Sequence, residues 1–160
     1  MVDLLSPVVI LLVVLVVVLR RTSAGVAAVA LLAGVMIDQL LAQSVLDLVP
    51  EQQPPMDIYV SVVVHLILTF AAMAVALSVV KATRQSLVIP LLTSLLLGFL
   101  VVFFGLQILE PIPAITSEAN NSGLLTFLAP YENLIIAASA GLAVLAMIVD
   151  HKKVPKKDNK

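Results

Sequence analysis

Residues 24–49 read AGVAAVALLAGVMIDQLLAQSVLDLV, a run without a single basic residue and with two charges, Asp38 deep inside it and Asp47 near its end. A helix needs about 20 residues to cross a hydrocarbon core of about 30 Å, and this stretch is long enough. Its edges are marked. Arg20-Arg21 precede it, Thr22 or Ser23 can cap its start, and Pro50 with Pro54-Pro55 breaks the chain behind it.

Outward from this stretch the same pattern repeats. Residues 4–19, 57–80, 86–109 and 130–149 are further apolar runs. Asp3 or Ser6 can cap the first, with Pro7 in its first turn. Ser86 can cap the fourth, with Pro90 in its first turn, and Pro130 suits the first helical position of the fifth. The first run is short for a span, but its arginines can snorkel outward. The expectation is an all-α integral membrane protein: one domain of five transmembrane helices over residues 1–150, then a basic tail, 151–160. Composition agrees. The chain is 61% hydrophobic and 12% charged, with mean hydropathy +1.16, and so has too little polar surface to cover a water-soluble globule of this size. A cleaved signal peptide is not expected: Asp3 precedes the first run and Arg20-Arg21 follows it at once, where a small-residue cleavage site would lie.

The charges are sorted by joint. Arg20-Arg21 lie between runs one and two, and Lys81 and Arg84 between three and four. Lys152, Lys153, Lys156, Lys157 and Lys160 follow run five. Glu51 lies between runs two and three, edged by Asp47 and Asp57. Glu110 and Glu118 lie between four and five, with Glu132 close by. Cytoplasmic loops retain Lys and Arg, so the N-terminus is expected outside and the C-terminus in the cytoplasm of a bacterial cell, the protein lying in its inner membrane. The Lys-rich tail reads as a topology anchor that can also meet anionic lipid. With no folded basic domain and no aromatic platform, nucleic acid is not an expected partner. In the one long joint, Asn120-Asn121-Ser122-Gly123 reads as a turn, with a formal glycosylation sequon in it, and residues 124–128 as a short interfacial helix.

Small residues at a spacing of four let helix backbones approach closely in lipid. Ala30 and Gly34 in run two, Ser94 and Gly98 with Gly105 in run four, and Ala137 and Gly141 in run five make those three runs the expected packing helices, within the chain or with another subunit. Run one has no small or polar face and is expected at the periphery.

Ionisable groups inside a span are costly and default to a functional reading. Asp38 lies 12 residues before Pro50, or about 18 Å along a helix, and His65 lies 10 residues after Pro55, or about 15 Å. Runs two and three form an antiparallel hairpin, so the two side chains reach similar depth and are expected to pair. Ser61 and Thr69 share the His65 face at a spacing of four. Gln39, Gln43 and Asp47 make a second polar stripe, and Gln107 and Glu110 lie near the end of run four. Three readings stay open for the Asp38–His65 pair: interhelical glue, a site that handles protons or cations, since histidine changes charge near neutral pH, or residues facing a partner.

Catalytic constellations are not legible. There are no cysteines, which excludes disulfides, thiolate metal sites and a Cys nucleophile. Only one Asp is deep, where an intramembrane aspartyl protease needs two. No Gly-x-Ser-x-Gly elbow or phosphate-cradling Gly loop is present, and His65 alone is not a bis-histidine haem site. No cofactor or metal is expected.

Arg20-Arg21, the Ala24–Gly34 stretch, Lys81–Arg84, Gly98 with Gly105, and Ser122-Gly123-Leu124-Leu125 running on to Leu128-Ala129-Pro130 resemble, in order, features of the colicin V production protein (CvpA) family of small bacterial inner-membrane proteins. The resemblance covers about residues 4–130; the fifth run and its Lys tail depart from it. It implies a role in export or envelope assembly and carries no catalytic residues over. The expected function is a non-enzymatic subunit or scaffold of a larger envelope assembly, with lipid and other membrane subunits or itself as partners. The rival is a small proton or cation translocator using Asp38 and His65.

Overall fold

Long apolar runs cannot leave backbone N–H and C=O groups unpaired in lipid, and a helix satisfies them internally. A computed structural model describes residues 2–20, 22–50, 53–80, 88–120, 123 and 129–151. Its regular structure is helical, with no strand among the described residues. The helices are α1 (Val2–Arg20), α2 (Ala24–Leu46), α3 (Met56–Val79), α4 (Val88–Leu109), α5 (Pro113–Asn120) and, after a 3-10 turn at Ala129–Tyr131, α6 (Glu132–His151). Among the described residues three segments are long and apolar enough to cross a membrane, Ala24–Leu46, Met56–Val79 and Leu91–Leu109, and Leu5–Leu19 and Asn133–Leu145 are further apolar segments, shorter within those residues.

The bundle is built on α2. It packs along α3 as an antiparallel hairpin and also touches α4 and α6, while α1 lies against α4. The core joins Val17 of α1, Ala24, Ala27, Ala28 and Leu31 of α2, Leu97, Leu100 and Phe104 of α4, and Ala143 of α6, with Phe70, Met73 and Leu77 of α3 packed against it. Two glycines set the closest approaches. A Cβ on Gly34 would fall on the carbonyl oxygen of Thr69, with the carbonyl carbon at 2.9 Å, so the α2 and α3 backbones touch there. A Cβ on Gly98 would sit 3.0 Å from Cγ2 and 3.1 Å from Cα of Ile10, which seats α1 on α4.

The ends of the elements differ in detail from the sequence reading. Helix α1 starts at Val2, so Ser6 lies inside it, buried, and Pro7 sits in its second turn rather than its first. Ser23 occupies the N-cap position of α2 but makes no side-chain cap bond, and the Thr22 hydroxyl is buried without a partner. Helix α2 ends at Leu46, not residue 49; the chain leaves through turns in which the Leu48 and Val49 N–H groups donate to Val45 and Leu46. Pro130 lies in the 3-10 turn ahead of α6 rather than at its first position. The α5 helix was not expected. Ser86, the Asn121-Ser122 part of the turn, and residues 124–128 lie outside the described residues.

Candidate functional site

The α2–α3 register decides which polar groups meet. The Ser23 N–H donates to the Val80 carbonyl at 3.4 Å. Eleven residues along α2 and eleven back along α3, Gly34 meets Thr69. One turn further on each helix, Asp38 meets His65. The imidazole Nδ1 lies 2.7 Å from one carboxylate oxygen and 2.9 Å from the other. With the carboxylate ionised, a single Nδ1–H donates between both oxygens, and a protonated ring makes the contact an ion pair. The Asp38 side chain is 14% exposed and that of His65 33%, and Nε2 has no hydrogen-bond partner among the described residues. The pair is therefore closed towards α2 and open at the far edge of the ring.

Around it, Thr69 is buried one turn from His65 and Ser61 is half-buried one turn the other way. The same register sets Ser61 opposite Ala42, which is buried. Gln39, Gln43 and Asp47 stand apart from this seam. All three are exposed on other faces of α2, and the Gln43 amide donates to the Asp47 carboxylate at 3.0 Å. Gln107 and Glu110 are exposed near the end of α4.

The packing residues divide. Gly34, Gly98 and Ser94 lie at helix contacts, with the Ser94 hydroxyl donating to the Leu91 carbonyl at 2.9 Å. Ala30 is half-buried. Ala137 and Gly141 are exposed instead, and a Cβ on Gly141 or on Gly105 would meet nothing within 4 Å. Helix α6 packs through Ser139 and Ala143, the other side of the same small-residue run. Of the anchors, Arg20 closes α1. Arg21, Lys81, Arg84, Lys152, Lys153, Lys156 and Lys157 lie outside the described residues.

One feature escaped sequence reasoning. A cavity of about 320 Å³ lies between α1, α3 and α4, lined by Leu5, Val9, Leu66, Phe70, Gly105 and neighbouring apolar side chains, with Ser6 its one polar residue. The unfilled side of Gly105 opens into it, and only a three-dimensional arrangement could show that. Among the described residues no three His, Asp or Glu side chains come close enough to hold a metal ion. No family model, curated protein or solved structure matches the chain.

Proposed function

We propose that the chain is a non-enzymatic, multi-pass subunit or scaffold of a bacterial inner-membrane assembly, with α1 and α6 crossing the bilayer beside α2, α3 and α4. In this reading the N-terminus is outside and the C-terminus is cytoplasmic. The observation that carries it is the setting of Asp38–His65. The pair lies one turn from the point where the α2 and α3 backbones touch, and an interhelical hydrogen bond there fastens the same helix contact in lipid. An export or envelope role, as the CvpA resemblance implies, fits a protein that holds others in place.

A second reading rests on the open edge of His65. A ring that is one-third exposed, bonded to a carboxylate at Nδ1 and without a partner at Nε2 among the described residues, has an edge through which a proton could pass. The chain would then be a small proton or cation translocator. One substitution separates the two. Asp38→Asn keeps a hydrogen-bonding side chain and removes the carboxylate. In liposomes loaded with a pH dye, a scaffold shows the same low proton leak in both forms, and the variant still folds. A leak present in the native protein and lost in Asp38→Asn would replace the scaffold by the translocator.

A further inference from the structure

The outer half of α2 has a face that no other described part of the chain covers. Met36 is 66% exposed and Leu40 78%, and Ala33, Gln39, Gln43, Ser44 and Asp47 are exposed with them. Ala33, Met36, Leu40, Gln43 and Asp47 follow one another at spacings of three, four, three and four. That is the alternation of a and d positions in a two-stranded coiled coil. In this heptad Gln39 takes the g position and Ser44 the e position. Asp38 falls at f, on the opposite side, where it meets His65. The face is thus separate from the α2–α3 contact and free while that contact is made.

We infer that this face of α2 binds the same face of a second copy of the chain, making a parallel dimer. The argument rests on chemical self-complementarity. Copies inserted with one orientation can be related only by a two-fold axis normal to the bilayer, so α2 meets its copy in parallel with equal depths opposed. In a parallel pair, g of one helix lies beside the e position five residues on in the other. Gln39 of each copy then lies beside Ser44 of the other, twice over. Neither side chain has a hydrogen-bond partner among the described residues. Gln39 is seven residues, or about 10 Å, from the outer end of α2, too deep for its amide to be hydrated easily, and a polar group in hydrocarbon is costly without a partner. An amide and a hydroxyl each donate and accept, so they satisfy one another, as two carboxylates could not. Met36 and Leu40 supply the packing beside them. Asp47 lies past the last helical residue, held by Gln43, where the two chains separate towards water.

The inference requires that α2 crosses the bilayer, and it does not require the scaffold reading. The test uses the full chain in native membranes. The protein has no cysteine, so Met36→Cys and Leu40→Cys each place one thiol on the face, and Val63→Cys and Ile67→Cys on the exposed side of α3 serve as controls. Mild oxidation should give a disulfide dimer at 36 and 40 and none at 63 and 67. Gln39→Leu, an apolar change at an exposed site that leaves the fold alone, should weaken association by roughly three- to fifteenfold for each of the two Gln39–Ser44 pairs. A dimer equally strong at the control positions overturns the proposal. So does a product joined only to a different protein, an absence of any product, or association unchanged by Gln39→Leu. Alkaline extraction of the same membranes separates the two failures: a chain released to the supernatant overturns the membrane reading itself, and a chain retained there without a dimer overturns only the dimer.

Discussion

Asp38 and His65 are best understood as one group. Either side chain alone would present an uncompensated polar or charged function to hydrocarbon; together they occupy each other at 2.7 and 2.9 Å. In a double-mutant cycle, Asp38→Leu and His65→Leu, each of which removes the hydrogen bond, should therefore couple by about 1 kcal/mol, within the range of interhelical hydrogen bonds in membranes. Unfolding in mixed micelles measures this, and a coupling indistinguishable from zero would show that the two do not depend on one another. That they meet was legible in the sequence, because a hairpin fixes equal depth and only two ionisable groups lie at that depth. How they meet was not. That Nδ1 faces the carboxylate, and that the opposite ring edge stays open, depends on the rotation of α3 about its axis, which neighbouring side chains set. Gln39 shows the same limit. Its stripe along α2 could be read, but that this stripe is exposed among the described residues could not.

At the scale of elements, close approach depends on which face of a helix is small rather than on how many small residues it holds. Gly34→Ala should destabilise the fold by about 1–3 kcal/mol, because the added carbon meets the rigid Thr69 backbone and the helices must separate. Gly98→Ala should cost less, since one of the atoms it meets is the movable Cγ2 of Ile10. Gly141→Ala should be neutral or stabilising, by up to about 1 kcal/mol, because the added methyl lies in open space and alanine favours a helix interior over glycine. Thermal or detergent unfolding of the three variants orders them; equal effects at Gly34 and Gly141 would contradict the packing described. The sequence pointed to all three through one spacing rule, which found Gly34 in α2 and Gly98 in α4 but not Gly105, where an added Cβ would meet nothing within 4 Å. In α6, Ala137, Ala138, Ser139, Ala140, Gly141 and Ala143 put small residues on every side. Spacing then names no face, and the helix packs through Ser139 and Ala143. The α5 helix was missed for another reason: Pro113–Asn120 is short and half polar, so it does not stand out among the apolar runs.

For the whole molecule, the existence and order of the long helices were legible because a bilayer imposes length and hydropathy together, and no other solvent demands both. The sidedness is a separate inference, drawn from the charges. The Ser23–Val80 hydrogen bond sets the joint after α1 beside the end of α3, so Arg20-Arg21 and Lys81–Arg84 flank one contact along the chain, and the Glu51 joint lies at the other end of the same hairpin. In the proposed orientation basic residues are held on the cytoplasmic side, which would put the first contact in the cytoplasm and Glu51 outside. If α4 and α6 both cross, the joint around Asn121 is outside and the tail after His151 returns to the cytoplasm. Reporter fusions after Gln85 and at Lys160 should then report cytoplasm, and fusions at Gln52 and Asn121 the outside. The informative position is Asn121. Helix α6 runs Glu132–His151, and the Lys-rich tail is what would draw its end across. A cytoplasmic signal at Asn121 with Gln52 still outside would mean that α4 does not cross. An outside signal at both Asn121 and Lys160 would leave α6 on the outer surface, reduce the bundle to four crossings, and move every lysine of the tail to the side that the charge rule disfavours.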